Sequence, residues 1–356
     1  MTDIHDLTVT ELAAAIRRKE LSPVQITAHY LDRTTRLNAD VGAFFTVTAE
    51  LATSQAAEAE KAVAQAPGPA GLPPLTGIPI PIKDLNMVAG VRQTLGSAAY
   101  ADNVPDIDDY VSAALRAAGA VLTGKTATPE FGLPCYTETA VGPPARTPWD
   151  LSRSAGGSSG GAAAAVAAGL APAAQGSDGG GSIRIPSSVC GLFGLKPSRG
   201  RISGGPLVPD LAGLATDGPL ARSVADAALL LDVMTGNQPG DMYTQPPLPA
   251  GETFLGYAAR PPGRLRIGRT LQHPIEGAGV HPDCVAAYED ASQLLASLGH
   301  GSRTWPCRSA RTRCPRSRRS GTRRPRWPRS TRPGRTACCR SPRTCASGAS
   351  RPGPPT

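Results

Sequence analysis

The stretch GSDGGGSIR, residues 176–184, places one serine hydroxyl directly after three consecutive glycines. Glycine has no Cβ, so consecutive glycine N–H groups can turn toward a single point. Such a group of donors stabilises the oxyanion that develops when a serine attacks a carbonyl. We therefore predict that Ser182 is a nucleophile. The oxyanion hole would be formed by the amides of the three preceding glycines, Gly179, Gly180 and Gly181.

Two upstream segments argue against a flexible glycine-serine linker. The sequence GGSSGG, residues 156–161, leads directly into residues 162–168, an alanine-rich run with high helix propensity. Further upstream, GIPIPIKD, residues 77–84, is rich in β-branched residues and predicts a strand, which its prolines make irregular or peripheral. This strand ends on Lys83, although a lysine in that position more often extends its amine to the surface.

These motifs, followed by PSSVCG at 186–191 and GLKP at 194–197, resemble the amidase signature family over residues 5–298. The resemblance implies an α/β fold with a mixed β-sheet sandwiched between α-helices. It also implies a catalytic triad in which Ser182 attacks an amide carbonyl, Ser158 relays the proton from a cis peptide bond, and Lys83 is the base. The family usually has one larger residue where this chain has Gly179 or Gly180.

Physical chemistry supports these roles independently of the resemblance. A lysine accepts a proton at neutral pH only if its surroundings lower its pKa from about 10.4. Apolar neighbours of Lys83 could bury it: Ile80, Ile82 and Leu85. Beside the nucleophile, we expect Asp178 and Arg184 to form a pair that stiffens the loop. We assign Ser159 a supporting structural role as well.

Other catalytic chemistries fit the sequence less well. The segment GGSSG, residues 156–160, formally matches the GxSxG elbow of α/β-hydrolases, but residues 143–150 before it are proline-rich and cannot form a buried strand. The downstream histidines, His273, His281 and His300, have no flanking pattern typical of a base. The five histidines are scattered and no CxxC pair occurs, so we predict no metal and no cofactor. Three cysteines precede residue 300, and we expect them to be small buried apolar residues: Cys135, Cys190 and Cys284.

Helix and strand signals alternate along the first 300 residues, which favours one α/β catalytic domain over residues 1–300. Thr8 with Glu11 and Ser22 with Gln25 form capping boxes. Predicted helices run to about Lys19, to about Leu37, and over 50–66, 109–118, 159–168, 223–234 and 283–298. Predicted strands cover 43–47, 120–124, 171–175 and 265–268.

Residues 301–356 have a different composition from the rest of the chain. They use eight residue types and contain 16 of the 37 Lys and Arg residues but no acid, which leaves residues 1–300 with a net charge of −7. Arginine-rich segments can bind nucleic acid through charge. A shifted reading frame in a GC-rich gene explains the composition better, so we expect a disordered out-of-frame tail and an incomplete C-terminal part of the fold.

The predicted activity is hydrolysis of a carboxylic amide to an acid and ammonia or an amine through an acyl-Ser182 intermediate. One alternative is the glutaminase subunit of a tRNA-dependent amidotransferase, but that relative usually carries a Tyr-Gly pair that residues 196–205 lack. Another is a non-catalytic protein that binds nucleic acid through the tail. We expect a small-molecule amide as partner, no membrane segment and a cytoplasmic location. A homodimer is left open.

The tail generates the first prediction. If it replaces part of the fold, the purified 356-residue chain is poorly stable or turns over simple amides slowly. The measurement is ammonia release by monodisperse protein. Release at about 1 to 1000 turnovers per second, the ordinary range for enzymes, would contradict this expectation.

Overall fold

A computed structural model describes residues 3–68, 71–207, 212–272 and 278–305. The chain divides into two compact units, one ending at Gly263 and the other beginning at Arg264. The predicted catalytic domain over residues 1–300 is not tested by this division and stays a prediction. No helix in the described part of the chain is long and apolar enough to cross a membrane.

The first unit begins with helices that start at side-chain caps. The Thr8 hydroxyl accepts a hydrogen bond from the Glu11 amide, and the Glu11 carboxylate accepts one from the Thr8 amide. The predicted capping box is therefore confirmed. Ser22 caps the next helix, with Pro23 in its first turn. The helices are α1 (Val9–Arg17), α2 (Pro23–Val41), α3 (Ala49–Gln65), α4 (Tyr110–Ala117), α5 (Gly160–Ala167), α6 (Arg184–Cys190), α7 (Val224–Met234) and α8 (Phe254–Ala258).

Within the described residues of this unit, eight short strands form three small sheets. They are β1 (Phe44–Val47), β2 (Ile82–Lys83), β3 (Gly124–Thr126), β4 (Arg146–Thr147), β5 (Asp150–Ser154), β6 (Ala173–Ser177), β7 (Phe193–Gly194) and β8 (Asp217–Ala221). Strands β1, β3 and β2 pair in that order, with β2 parallel to β3, and β6, β8 and β7 form an antiparallel sheet. The Gln175 amide donates to the Pro81 carbonyl at 3.2 Å, which brings β6 alongside the chain entering β2.

Helices cover both faces of the β6–β8 pair. Alternate residues of a strand point to opposite faces. Ala173 and Ala221 accordingly belong to a core with residues of α1, α2, α4 and α7, whereas Ala174 and Leu220 belong to a second core with α5. The expected fold, a mixed α/β structure with sheet between helices, is confirmed.

Helix α5 is packed closely enough to exclude larger side chains. All its residues from Gly160 to Val166 are buried. A Cβ added to Gly161 would lie 2.2 Å from the Ala127 nitrogen and 2.5 Å from the Ala43 carbonyl oxygen. Glycine at position 161 is therefore required by a close approach of backbones.

The described residues of the second unit form a βαβ arrangement. Strand β9 (Arg266–Arg269) is followed by helix α9 (Pro282–Ser297) and by strand β10 (Gly301–Thr304), which pairs with β9 in parallel. The Arg269 guanidinium lies 2.9 Å from the Glu289 carboxylate. The first four residues of the predicted disordered tail form β10, and the prediction for the tail is otherwise not tested. Residues 306–356 lie outside the described residues, and the reading-frame hypothesis stays a prediction.

Several predicted boundaries need correction. The strand expected at 120–124 lies at Gly124–Thr126, because Val121 makes only an isolated bridge to Pro79. Helix α2 continues past Leu37 until Gly42, whose φ of 59° ends it. The proline-rich segment before residue 150 contributes β4 and leads into β5, a mostly exposed hairpin that the sequence did not predict. Cys190 is buried as expected, but Cys135 and Cys284 are exposed.

The packing of α5 gives a stability prediction. Alanine is the better helix former, so Gly161→Ala would stabilise an open helix by about 1 kcal/mol. Here we expect the backbone clash to reverse the sign and lower the free energy of unfolding by about 1 to 3 kcal/mol. Urea denaturation measures it. Gly71→Ala, with nothing within 4 Å of the added Cβ, is the control and should stay within about 0.5 kcal/mol.

Candidate active site

Lys83 is completely buried at the end of β2 and has no carboxylate within ion-pair distance among the described residues. Its Nζ donates to Ser158 Oγ at 2.8 Å, to Ser177 Oγ at 3.1 Å and to the Ser177 carbonyl at 3.4 Å. Burial disfavours the charged amine and lowers the Lys83 pKa to about 7, although Asp217 and Asp178 oppose the shift. Near neutral pH this amine can therefore accept a proton.

Ser158 lies between Lys83 and the cleft. The Gly157–Ser158 peptide bond is cis, as the resemblance implies, and only 2% of Ser158 is exposed. Gly132 allows this packing: with a φ of 70°, it would carry a Cβ 3.2 Å from Ser158 Oγ and 2.7 Å from the Leu85 side chain. Gly132 thus leaves room for the Ser158 hydroxyl beside the lysine.

Ser182 lies in the turn that precedes α6 and lines a cleft of about 310 Å³ together with Ser158 and Ser177. Within the described part of the chain, the Ser182 hydroxyl makes no hydrogen bond, so it is not bonded to Ser158. Two of the three predicted triad residues, Ser158 and Ser182, thus line one cleft, and the third, Lys83, is buried and contacts Ser158. One of the two predicted proton-relay contacts is formed. Ser177, which the sequence did not single out, supplies a third hydroxyl.

The three predicted oxyanion donors are not equivalent. Gly179 and Gly180 line the cleft, and their amides have no hydrogen-bond partner among the described residues. The Gly181 amide instead donates to Asp178 Oδ1 at 2.7 Å, so its assignment to the oxyanion hole needs correction. The amide of Ser182, which the sequence did not suggest, has no partner in the described residues either.

Asp178 organises the loop around the nucleophile. Its buried carboxylate forms a bidentate pair with the Arg184 guanidinium, both contacts at 2.9 Å. It also accepts the amides of Gly181, Ile183 and Arg184. Burial opposes ionisation, but the Arg184 guanidinium and these amides outweigh it and lower the Asp178 pKa to about 2.

Ser159 joins this loop to the neighbouring strand. Its hydroxyl donates to the Ser177 carbonyl at 3.2 Å and accepts the Ser177 amide at 3.3 Å. Its own amide donates to the Ser182 carbonyl at 3.1 Å. These contacts fix the nucleophile loop relative to β6.

A buried polar network behind Lys83 was not predicted. Gln175 Oε1 accepts the backbone amide of Lys83 at 2.8 Å, while Gln175 Nε2 donates to Asp217 Oδ1 at 2.7 Å and to Asn86 Oδ1 at 3.0 Å. Asn86 Nδ2 donates to Asp109 Oδ2 at 2.9 Å and to Asp217 Oδ1 at 3.2 Å. A glutamine in an otherwise apolar strand was the available sequence signal.

A second buried lysine lies on β3. Lys125 Nζ is 3.1 Å from Asp84 Oδ1 and donates to the Asn86 carbonyl at 2.7 Å. Burial lowers the Lys125 pKa, and Asp84 opposes that shift. Lys125 thus forms a buried ion pair on β3, the strand next to the β2 strand that carries Lys83.

The sequence profile of the amidase family matches residues 25–316. The chain belongs to this family. It is 43% identical over 237 residues to the 6-aminohexanoate-cyclic-dimer hydrolase of Paenarthrobacter ureafaciens, covering 64% of this chain and 47% of that protein. It is 40% identical over 298 residues to a glutamyl-tRNA(Gln) amidotransferase subunit of Geobacter sp. strain M21, covering 83% of this chain and 60% of that protein.

The fold agrees with solved structures of the amidase family. The structure of 6-aminohexanoate cyclic dimer hydrolase complexed with substrate aligns with a TM-score of 0.78 and 38% identity, over 85% of this chain and 61% of that one. The chain thus spans 47% to 60% of the length of the two sequence relatives above.

The other predicted alternatives have little structural support. Ser158, the serine of the GxSxG match, contacts Lys83 and no histidine among the described residues. His273 lies outside the described residues. In contrast to the expected scatter of histidines, Asp3, His5 and Asp6 place ligand atoms within 4.8 Å of one another, and His5 Nδ1 lies 3.1 Å from His29 Nε2. These N-terminal groups are half-buried or exposed, and we assign no metal to them.

The Asp178 contacts predict a pH-dependent stability. Asp178→Asn removes the carboxylate charge and turns an amide N–H₂ toward hydrogen-bond donors. We therefore expect the free energy of unfolding to fall by about 2 kcal/mol at pH 7. The folded pKa of about 2 lies below the unfolded value of about 3.9, so the difference should persist above about pH 4 and shrink as the pH falls toward 2. Urea denaturation across pH measures it.

The control for that experiment is Asp150→Asn, which breaks an exposed pair with Arg153. We expect it to leave the free energy of unfolding nearly unchanged, because water screens the exposed pair. Equal losses in the two variants, or a loss for Asp178→Asn that does not depend on pH, would contradict the role of the Asp178 carboxylate.

Proposed function

We propose that this chain is an amidohydrolase that converts a carboxylic amide and water to an acid and ammonia or an amine through an acyl-Ser182 intermediate. The observation that carries the proposal is the 2.8 Å contact between the buried Lys83 amine, which has no ion-pair partner among the described residues, and Ser158 Oγ. Ser158 and Ser182 line the same cleft. Membership of the amidase family supports it.

The proton would travel along the three side chains. Neutral Lys83 accepts the Ser158 proton while Ser158 accepts that of Ser182, whose Oγ forms a bond to the carbonyl carbon. The proton returns through Ser158 to the leaving nitrogen as the C–N bond breaks. Water then attacks the acyl-serine by the same path and releases the acid. The contact from Ser182 to Ser158 would form when substrate enters.

The oxyanion would be held by backbone amides that have no competing acceptor. We assign this role to Gly179, Gly180 and the amide of Ser182 itself. A nucleophile's own amide is suitably placed, because the oxyanion forms on the carbon that its Oγ attacks, two bonds from Oγ. The Gly181 amide instead keeps the loop in shape through Asp178.

The cleft favours an uncharged substrate. The described residues that line it carry apolar, hydroxyl or thiol side chains, and none of them is charged. Its largely apolar wall is formed by Leu85, Phe131, Leu133, Pro134, Cys135 and Ile185. A charged group would lose hydration there without a compensating partner. We therefore propose a neutral, apolar acyl group.

A second candidate is the glutaminase component of a tRNA-dependent amidotransferase, favoured by the 40% identity to a glutamyl-tRNA(Gln) amidotransferase subunit. The two candidates differ in which amide occupies the cleft. Protection of Ser182 from covalent labelling by hexanamide but not by glutamine supports the stand-alone enzyme, whereas the reverse supports the glutaminase. The cytoplasmic location and the homodimer stay predictions.

Covalent labelling tests the nucleophile. A fluorophosphonate should add one mass increment to the full chain at Ser182, and Ser182→Ala should abolish it. Ser188→Ala, which removes an exposed hydroxyl six residues away in α6, is the matched control and should label like the unmodified chain. Labelling that survives in Ser182→Ala would place the nucleophile elsewhere.

The pH dependence tests the base. Because the reaction needs neutral Lys83 and its pKa is about 7, the labelling rate should rise with pH through about 7 and then level off. Lys83→Ala should slow labelling by about 100-fold or more and remove this inflection. A rate that falls as pH rises through 7 would exclude a neutral lysine as the base.

A further inference from the structure

Behind Lys83, the network ends on two carboxylates that no step of the proposed reaction uses. Asp217 lies on β8 directly opposite Ser177 of β6, the residue whose hydroxyl contacts the Lys83 amine. Only 8% of Asp217 and 6% of Asp109 is exposed. Both carboxylates are therefore largely removed from water close to a buried amine.

Asp217 is connected to Lys83 through one glutamine. Its Oδ1 accepts Gln175 Nε2 at 2.7 Å, and the other end of the same amide accepts the Lys83 backbone N–H at 2.8 Å. A glutamine amide whose two ends are both bonded has one orientation. Asp217 thus fixes Gln175, and Gln175 fixes the residue that carries the amine.

Asp217 and Asp109 share a single donor residue. Asn86 Nδ2 donates to both, and Asp109 also accepts the amides of Ser112 at 2.8 Å and Met87 at 2.9 Å. Two carboxylates sharing a site do not both ionise easily, and the one with more donors keeps the charge. Asp109 has three donors and Asp217 has two, so Asp217 is the one that holds a proton.

The charges around Lys83 come from several elements. Asp217 on β8 and Asp178 in the nucleophile loop act on it, and Arg184 neutralises Asp178. Asp84, next in the chain, is paired with Lys125 of β3, and Asp109 at the start of α4 acts on both Lys125 and Asp217. Asp217 is therefore the carboxylate near Lys83 that lacks a cationic partner at ion-pair distance among the described residues.

We propose that Asp217 is a positioning and charge-setting residue for Lys83. Through Gln175 it fixes the backbone of the lysine, and by carrying a proton beside ionised Asp109 it leaves the buried amine without a counter-ion. This inference rests on the proposed function, in which Lys83 is the base. Burial first, and the Asp109 charge second, raise the Asp217 pKa to about 7, consistent with a proton held there near neutrality.

Two isosteric variants separate the two charge states of Asp217. Asp217→Asn keeps the acceptor for Gln175 and is always neutral, which is the state that the proposal gives Asp217, so the Lys83 pKa should stay close to that of the unmodified chain. Asp109→Asn still caps α4, yet removes the charge that keeps Asp217 protonated. Asp217 then ionises more readily, and the Lys83 pKa should rise. A role in packing alone predicts no rise for Asp109→Asn.

The experiment measures the pH midpoint of fluorophosphonate labelling at Ser182 in the full chain, together with the ¹⁵N chemical shift of Lys83 Nζ in lysine-labelled protein. Asp108→Asn is the control, since among the described residues the Asp108 side chain bonds to Arg116 and to the Ala89 amide but to no side chain of the network. Its midpoint should equal that of the unmodified chain. An unchanged midpoint for Asp217→Asn with a higher one for Asp109→Asn supports the proposal.

A midpoint that rises for Asp217→Asn, or one that does not rise for Asp109→Asn, overturns it. The nitrogen shift separates this result from a failure of the proposed function. If Ser182 is not labelled at all, the amidohydrolase proposal fails, while the Lys83 titration still decides whether Asp217 sets its charge.

Discussion

A primary amine buried without a counter-ion is the constraint on which the rest of the site depends. Removing an ammonium from water is costly unless it is paired, so a buried lysine either finds a carboxylate or gives up its proton. The two lysines of the small mixed sheet illustrate both outcomes. Lys125 contacts Asp84, whereas Lys83 contacts only hydroxyl and carbonyl oxygens. The first arrangement is an ion pair, and the second leaves an amine that can accept a proton near neutral pH.

The contact between Lys83 and Ser158 requires glycines at positions where neighbouring atoms approach closely. Glycines at 132 and 161 are not flexible points, because a Cβ at either position would meet neighbouring atoms at 2.7 Å or less. They let the loop carrying Ser158 and the start of α5 approach the strands. The Ser158 hydroxyl can lie beside Lys83 because these residues have no Cβ.

Much of the local structure could be predicted from the sequence because its causes are local. The caps at Thr8 and Ser22 involve contacts two or three residues apart, and helix α5 follows from a run of alanine. The motifs around Lys83, Ser158 and Ser182 indicated the residues that meet in the cleft. The network could not be predicted, since Gln175 and Asn86 reach Asp217 across 42 and 131 positions. Nor could the use of the Gly181 amide by Asp178, which depends on how the loop folds.

Helix α5 has a consequence for how this gene can vary. Single-base changes convert an alanine codon to valine, threonine, proline, aspartate or glutamate, all larger, or to glycine or serine. Because Ala162 to Ala165 are fully buried, the larger replacements have no free volume to occupy. Accepted base changes at these four codons should therefore be mostly third-base changes, which keep alanine, or changes to glycine or serine. The variation tolerated in this segment thus reports how strongly selection maintains the fold.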